Sequence, residues 1–410
     1  MGFQQGLSGL NAASKSLDVI GNNVANANTV GFKESQAQFA DVYANSLTGA
    51  GASQVGIGTK VAQVAQRFTQ GNITASNNPL DVAINGGGFF RMNNNGTTAY
   101  ARNGQFQLDK AGYVVNATGS RLTGYTANAS GVISTGAPAD LNINTADLTP
   151  KTTTKVNALL NLNSGSAVPA TTPFNMADPT TYNNSTAVSV YDSLGNAHTL
   201  QTFYVKTSAN NWDVYAANDG VPIGYVPPAA PVKVGSLAFA SDGSLIPAAP
   251  FAVPVAVTTG ATTPFTVKLD YTGTSQYGSS FSVNALKQDG YTSGRLSGFN
   301  ISADGTIVGR YTNGQSATLG QVVLANFTNP NGLQSLGNNL WTETAASGPA
   351  LVGTPNSGSL GVLQSSAVED SNVDLTAELV NMITAQRTYQ ANAQTIKTQD
   401  QVLQTLVNLR

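Results

Sequence analysis

Large apolar residues recur at seven-residue spacing at both ends of the chain. The pattern is typical of helices that pack along one another, and it predicts one helix over about 3–27 and another over about 374–409. The heptad positions of the first helix are Phe3, Leu7, Leu10, Leu17 and Val24. Those of the second helix are Leu375, Leu379, Met382, Tyr389, Ala393, Ile396, Leu403 and Val407.

The heptads allow two interpretations, an internal helix pair or an interface between copies of the chain. The C-terminal series also brings Gln386 and Asp400 to inward positions, which a dry two-helix core does not accept. In a tube wall each helix has several neighbours, and Asp400 can meet a cation such as Lys15. We therefore expect the heptad residues to form an assembly interface.

The middle of the chain has the turn signals of β-hairpins, such as Asn95-Gly96 and Asp304-Gly305, and a Pro- and Thr-rich boundary at 164–181. We predict a mixed fold of two β-rich domains, the second inserted in the first, carried on an antiparallel, coiled-coil-like domain of both terminal helices. The predicted segments are an N-terminal helix at 1–28, a connecting segment at 29–74, the first β-domain at 75–148 and 290–362, the inserted outer β-domain at 149–289 and the C-terminal helix at 363–410.

The composition removes several classes of function. Only 10% of residues are charged and the net charge is −2, so the basic surface of a nucleic-acid-binding protein is missing. The chain has no cysteine, which excludes disulfides and thiolate chemistry. No uncharged apolar stretch approaches about 18 residues and no basic leader precedes an apolar core, so we expect neither membrane insertion nor a cleavable signal peptide.

The sequence brings together no catalytic, cofactor or metal site, and we do not expect an enzyme. The single histidine, His198, has no second histidine or cysteine to share a metal, so we expect a structural role. The Gly86–Gly88 run lacks the spacing of a phosphate-binding loop. Acidic residues cluster at 369–378 where the last helix begins, with Ser371 and Asp374 resembling a weak capping box. We attribute this cluster to the helix dipole.

The N-terminal run SGLNAASKSLDVIGNNVANANTVGFK resembles the motif of the axial proteins of the bacterial flagellum, the family of rod, hook and hook-associated proteins. The C-terminal run from Ser371 to Arg410 is similar to the closing helix of that family, and DVAINGGGFF resembles the strand that opens its first β-domain. The motif positions here are Asn22, Asn23, Ala25, Asn26, Thr29, Gly31 and Phe32. The length and the large insertion favour a hook-type member over the shorter distal-rod members.

The resemblance implies an extracellular structural subunit, exported unfolded by the flagellar type III apparatus. Such subunits assemble head-to-tail into a curved helical tube, a flexible universal joint that transmits torque. The implied partners are copies of the chain itself, the distal rod, the hook cap, the hook–filament junction proteins and the export apparatus. Two alternatives stay open: a distal-rod or junction member, and a secreted β-rich adhesin or carbohydrate-active protein. The latter predicts clustered aromatics, but Trp212 and Trp341 fall in different predicted domains.

Overall fold

A computed structural model describes residues 2–42, 56–128, 131–224 and 231–408. The chain divides into two compact units. Unit 1 comprises Met1–Thr145, Gly298–Arg310 and Ser316–Arg410, and unit 2 comprises Ala146–Ser297 and Tyr311–Gln315. The sequence prediction of a β-rich chain with a helix at each terminus is confirmed.

Both helices belong to unit 1: α1 spans Gly2–Ala25 and α2 spans Leu375–Asn408. The first helix ends at Ala25, within an Asn-rich run that begins at Asn22, because Asn competes with the helix for backbone hydrogen bonds. At the start of α2, Oδ1 of Asp374 accepts hydrogen bonds from the backbone N–H groups of Thr376 and Ala377 at 2.9 and 3.1 Å. Asp374 is therefore the N-cap itself, which corrects the predicted capping box that began at Ser371.

Twenty-nine strands and two short 3-10 helices make up the rest of the described chain. The first ten strands are β1 (Ser35–Val42), β2 (Gly58–Gln66), β3 (Ile73–Ala75), β4 (Val82–Asn85), β5 (Phe89–Asn94), β6 (Thr97–Ala101), β7 (Phe106–Leu108), β8 (Val114–Asn116), β9 (Arg121–Thr126) and β10 (Ala139–Asp140). The next ten are β11 (Lys155–Asn163), β12 (Asn184–Tyr191), β13 (Ala197–Ser208), β14 (Asn211–Asn218), β15 (Val221–Pro222), β16 (Gly235–Ala238), β17 (Phe251–Val255), β18 (Phe265–Asp270), β19 (Ser275–Tyr277) and β20 (Ser282–Gln288). The last nine are β21 (Leu296–Ile301), β22 (Thr306–Tyr311), β23 (Ser316–Val322), β24 (Leu324–Asn326), β25 (Gln334–Gly337), β26 (Leu340–Thr342), β27 (Leu351–Gly353), β28 (Val362–Ser365) and β29 (Ala367–Glu369). The 3-10 helices are Pro179–Thr181 and Pro330–Gly332.

Unit 1 is organised around a sheet with the path β21-β22-β23-β9-β5-β6-β26-β25. Aromatic residues from several of its strands pack edge to face, among them Phe89, Tyr100, Phe327 and Trp341. The late strands β28 and β29 pair with the early strands β4 and β3. Residues that follow α1 and residues that precede α2 are therefore paired in two short two-stranded sheets.

Strands β1 and β2 form an antiparallel hairpin beside the helices, with a bulge after Gln38. The sequence predicts 29–74 only as a connecting segment, and this strand pair is not part of that prediction. The signal was weak because apolar and small residues are mixed along both strands and glycines interrupt the segment. The glycines at 49 and 51 lie outside the described residues.

Unit 2 contains two five-stranded sheets, one built around β11 and β18 and the other around β13 and β14. Residues of both sheets share one apolar core, in which Trp212 is fully buried and its indole N–H donates to Gln276 Oε1 at 2.7 Å. Near the two ends of the unit, Leu148 bridges Gly294 and Lys151 bridges Tyr291. The first and last segments of the unit thus run side by side.

Candidate assembly surface and its anchor

The two terminal helices lie antiparallel and contact each other through small residues. A Cβ atom added to Gly6 would lie 3.0 Å from Ile396, and one added to Gly9 would lie 2.6 Å from Oδ1 of Asn392. Ala13, one turn further along α1, is buried. The missing side chains of Gly6 and Gly9 therefore let the helix backbones approach closely, and the heptad residue Ile396 lies at this contact.

We expect Gly9→Leu to separate the helices, because the new side chain has no space beside Asn392. Gly21→Ala on the same helix is the matched control, since its Cβ meets nothing within 4 Å. Ala should stabilise α1 there by up to about 1 kcal/mol. The measurement is amide hydrogen exchange along α1 in the unassembled protein: faster exchange in Gly9→Leu alone supports this contact, and equal exchange in both variants contradicts it.

The predicted heptad residues lie on the surface of this helix pair, and none of them is fully buried. The partly buried ones are Leu10, Leu17, Val24, Met382, Ala393 and Ile396. The exposed ones are Phe3, Leu7, Leu375, Leu379, Tyr389, Leu403 and Val407. Three further exposed apolar residues of α2 lie outside the heptad positions and are therefore not among the predicted interface residues: Val380, Ile383 and Val402. We call the ten exposed residues together the apolar helix surface.

The last described turns of α2 lie beyond the described residues of α1. Because Gly6 lies opposite Ile396 in the antiparallel pair, the last turns of α2 extend past Gly2, the first described residue of α1. Leu403 and Val407 on these turns are 54% and 73% exposed. Exposed apolar side chains at this density, on helix turns that extend past the described part of α1, indicate a contact with another molecule.

Asp400 and Lys15, which the sequence predicts to pair across the helices, each contact a residue of their own helix in the structure. Lys15 forms an exposed ion pair with Asp18 on its own helix, at 3.1 Å. Asp400 accepts a hydrogen bond from Gln404, also on its own helix, at 3.0 Å. The link between Asp400 and Lys15 therefore stays a prediction for the assembled state.

The hairpin of β1 and β2 widens the apolar surface along α1, from Asn23 beside Ser35 to Ser8 beside Thr59. Phe39, Val61 and Val64 are exposed on it. Between the hairpin and the two helices lies an open groove of about 570 Å³, lined mainly by small residues of α1 and α2. The apolar surface thus includes strand residues that the heptad analysis could not reveal.

The family motif builds the turn that connects α1 to the β-strands. Asn23 is buried and bonds to Ser35 in both directions: its Oδ1 accepts from the backbone N–H at 2.9 Å, and its Nδ2 donates to the carbonyl at 2.8 Å. The same amide donates to Glu378 of α2 at 3.3 Å. Within the turn, Thr29 Oγ1 donates to Asn26 Oδ1 at 3.2 Å. Asn23 therefore joins α1, β1 and α2 at one point.

The other motif residues take different places in this turn. Gly31 is buried with φ of +72°, and its N–H donates to the carbonyl of Glu369 at 2.8 Å. A Cβ at Gly31 would lie 2.5 Å from the backbone nitrogen of Asn103. Phe32 is partly buried, whereas Asn22 and Ala25 are exposed. The glycine is required by the backbone, and the two exposed positions are free for other contacts.

A buried ion cluster lies beside this turn. The carboxylate of Glu369 accepts from Lys33 Nζ at 2.7 Å and from Arg102 Nη1 at 3.0 Å, and all three side chains are almost fully buried. Burial lowers the pKa of Lys33 and of Arg102, while the carboxylate of Glu369 opposes this effect. The helix-dipole interpretation of the acidic cluster is therefore wrong for Glu369, which lies before the helix and serves as the counter-ion of two buried cations.

His198 lies in unit 2 between two carboxylates. Its Nδ1 is 2.7 Å from Asp219 Oδ2 and its Nε2 is 3.3 Å from Asp192 Oδ2, which also accepts from Thr259 Oγ1 at 2.6 Å. Burial lowers the pKa of His198, but the hydrogen bonds to Asp219 and Asp192 outweigh burial and raise it above its ordinary value of 6.5. Within the described residues, no three His, Asp or Glu side chains converge as metal ligands.

A raised histidine pKa makes the stability of unit 2 depend on pH. The contribution of the His198 ion pairs is complete below the unfolded-state pKa of 6.5 and is lost as pH rises through the higher folded-state pKa. We expect the difference in unfolding free energy between the parent protein and His198→Gln to shrink as pH rises from about 6 to about 9. Urea unfolding followed by Trp212 fluorescence in a Trp341→Phe background measures it. A difference that is constant with pH contradicts the assignment.

Family models match most of the chain. Residues 3–33 match a model described as flagella basal body rod protein, and residues 83–157 one described as flagellar hook protein FlgE/F/G D1 domain. Residues 161–291 match a model described as flagellar basal body protein FlaE D2 domain, and residues 364–409 match one described as flagellar basal body rod FlgEFG protein C-terminal.

Neither α1 nor α2, the two α-helices of the described residues, combines the length and the hydropathy of a membrane-spanning helix.

Relatives of the same length extend this result. The chain is 47% identical to the flagellar hook protein FlgE of Salmonella typhimurium strain LT2 and 46% identical to that of Escherichia coli K12, with 100% of both chains covered in each case. The crystal structure of Helicobacter pylori flagellar hook protein FlgE2 shares the fold, with a TM-score of 0.53 at 14% identity over 72% of this chain and 99% of that one. The terminal motifs, the full-length identity and the fold agree, and the chain belongs to the flagellar hook protein family.

Proposed function

We propose that the chain is a structural subunit of the flagellar hook and that it polymerises through the apolar helix surface. The observation that carries this proposal is that one set of helix residues makes the contact within the chain and a different set forms the exposed surface. Small residues make the contact within the chain, whereas Phe3, Leu375 and Leu403 are left exposed. A helix pair that served only its own subunit would bury its large side chains and expose its small ones.

The energetics require several neighbours. Burying one large apolar side chain contributes about 1.5–3 kcal/mol. Association loses about 4–15 kcal/mol of translational and rotational freedom. The burial of one side chain does not offset that loss of freedom. Burial of all ten residues of the apolar helix surface by lateral neighbours does offset it. The low net charge of −2 adds little repulsion between copies.

The proposed architecture follows from the antiparallel helices. Both leave the same β-domain, so they form a coiled-coil-like pair at the inner wall of a tube, and unit 2 is the inserted outer domain predicted at 149–289. Contacts between different faces of identical subunits that do not close into a ring generate an open helical tube. A curved tube of this kind is suited to transmit torque as a universal joint outside the cell.

The remaining functional expectations are proposals of the same kind. The partners are the distal rod, the hook cap, the hook–filament junction proteins and the type III export apparatus, in addition to copies of the chain. Hook proteins are structural subunits and not a known enzyme family. The exposed motif residues Asn22 and Ala25 are available for contacts with such neighbours.

Electron microscopy of the purified protein tests this function. We expect tubes at high protein concentration or in a salt such as ammonium sulfate, which strengthens the burial of apolar surface. The tubes should dissolve on dilution. Protein that stays monomeric under these conditions, with both units folded, would overturn self-assembly through this surface.

A further inference from the structure

The two chain segments through which unit 2 begins and ends are bonded to each other. The entry segment is 147–151 and the exit segment is 291–295, and both belong to unit 2. Four backbone hydrogen bonds of 2.8–3.3 Å join the segments, and they form within two pairs of residues. The pairs are Leu148 with Gly294 and Lys151 with Tyr291. The segments therefore form one antiparallel ribbon, which we call the connecting ribbon.

A second stretch of unit 2, Tyr311–Gln315, supports the exit side of the connecting ribbon. Nδ2 of Asn313 donates to the carbonyl of Thr292 at 2.7 Å. The backbone N–H of Thr312 donates to the carbonyl of Arg295 at 2.9 Å. The exit segment is therefore held on both of its sides, by the entry segment and by this turn.

Asp289 closes the connecting ribbon where it meets the sheet of unit 2. It directly follows β20, and its carboxylate faces the start of β11. Its Oδ1 accepts from the backbone N–H groups of Thr154 and Lys155 at 2.8 and 2.9 Å. Its Oδ2 accepts from Thr154 Oγ1 at 2.7 Å and lies 3.4 Å from Lys151 Nζ. One side chain thus joins the end of β20 to the start of β11 and to the entry segment.

The carboxylate of Asp289 is ionised at neutral pH, which strengthens these bonds. Burial raises the pKa of Asp289, but the hydrogen bonds from Thr154 and Lys155 and the charge of Lys151 outweigh burial and lower the pKa to about 2. Hydrogen bonds to an ionised acceptor are roughly twice as strong as neutral ones. Asp289→Asn keeps the shape of the side chain but leaves one acceptor oxygen in place of two.

We propose that Asp289 locks the connecting ribbon, so that the two segments carry load as one element. A short two-stranded pair is marginally stable by itself, because the entropy of ordering its residues offsets its hydrogen bonds. The charge-assisted bonds of Asp289 at the inner end of the connecting ribbon add the missing stability. This inference rests on the proposed function for its consequence: in a tube that transmits torque, force on unit 2 passes along these two segments. The lock itself belongs to the single subunit.

Amide hydrogen exchange in the unassembled full-length subunit tests the lock. Mass spectrometry follows the fragments 146–152 and 290–296, in which the amides of the connecting ribbon do not donate to Asp289. We expect Asp289→Asn to raise their exchange rates at least about tenfold, which corresponds to about 1.4 kcal/mol of local stability. A lowered melting temperature alone would not distinguish this lock from a general structural role.

Asp270→Asn is the matched control in the same unit. The Asp270 carboxylate accepts from the N–H and the hydroxyl of Thr272 at 3.0 and 2.6 Å and from Lys155 Nζ at 3.0 Å, and these bonds lower its pKa to about 2 as well. None of these partners lies in the connecting ribbon. We expect the control to lose stability yet to leave the exchange of both fragments unchanged. Equal acceleration in the two variants, or none in Asp289→Asn, would overturn the lock.

A milder variant carries the test should Asp289→Asn not fold. Thr154→Val removes only the hydroxyl donor to Asp289 and keeps the backbone N–H that also donates to it. We expect a smaller acceleration in the same two fragments, and unchanged rates would overturn the proposal.

The test in tubes separates this inference from the proposed function. We expect tubes of Asp289→Asn to break under hydrodynamic shear into shorter pieces than tubes of the parent or of Asp270→Asn; equal lengths would overturn the load-carrying consequence. If the parent forms no tubes, self-assembly fails, yet the exchange rates of the subunit still decide whether Asp289 locks the connecting ribbon. If the parent forms tubes and the exchange rates do not change, the lock fails and self-assembly stands.

Discussion

Leu403→Asp is expected to abolish tube formation while leaving both units folded. Leu403 is 54% exposed on the part of α2 that extends past the described residues of α1, so its replacement removes little packing within the described part of the subunit. In a tube the new carboxylate would be buried without a partner at every subunit, at a cost of several kcal/mol. A cost of about 3 kcal/mol raises the concentration needed for assembly more than a hundredfold. Sedimentation of polymer across a concentration series measures it.

Two matched controls accompany this variant. Thr405→Asp introduces the same charge two residues further on, on the opposite side of the helix, where we expect a much smaller effect. The pair Leu10→Asp and Asn11→Asp repeats the comparison on α1, at adjacent positions of which only Leu10 belongs to the heptads. If the variants that lose assembly also show a strongly lowered melting temperature of the subunit, the heptad residues stabilise the subunit's own fold and the assembly account is wrong.

Gly31→Ala is expected to destabilise unit 1 by about 3 kcal/mol, because a strained backbone conformation and a close backbone contact act together there. The left-handed backbone at φ +72° costs any other residue about 1 kcal/mol or more. The new Cβ would also lie 2.5 Å from the backbone nitrogen of Asn103, which cannot move independently of the strand beside it. The contact between the motif turn and Glu369 is then displaced. Urea unfolding followed by Trp341 fluorescence, with Trp212 replaced by Phe, reports the loss.

Gly119→Ala separates the two causes of that loss. Gly119 has a similar φ of +82°, but a Cβ there meets nothing within 4 Å. We expect this variant to lose only the backbone contribution of about 1 kcal/mol. Equal losses for the two variants would show that the close approach of Asn103 has no energetic weight, and the structural reason given for the motif glycine would fall.

Periodicity was sufficient to predict the two helices and to identify residues that remain on their surface. Heptads report the large apolar side chains directly, and Leu7, Leu379 and Leu403 need no tertiary information to be found. The same signal gives no information on the contact within the chain, because Gly6 and Gly9 carry no apolar side chain for a periodicity search to detect. Small-residue contacts become visible only when two backbones are placed side by side.

The buried ion cluster beside the helix ends could not be predicted from the sequence, for a different reason. Lys33, Arg102 and Glu369 are separated by up to 336 positions, and no local pattern joins them. Glu369 also lies in an acidic run whose later member Asp374 does cap α2. The helix start therefore explains Asp374 but does not explain Glu369. The motif glycine Gly31 was recognised by resemblance, but its reason, the approach of Asn103, depends on the paired β-strands.

The most direct test of the account compares the accessibility of the apolar helix surface before and after assembly. Single cysteines at Leu375, Leu403 and Phe3 provide unique sites in a chain without cysteine, and maleimide labelling rates report their exposure. The account predicts rapid labelling in the unassembled subunit and labelling slowed at least tenfold in tubes. Tubes that form normally and leave all three cysteines as reactive as in the free subunit would contradict it.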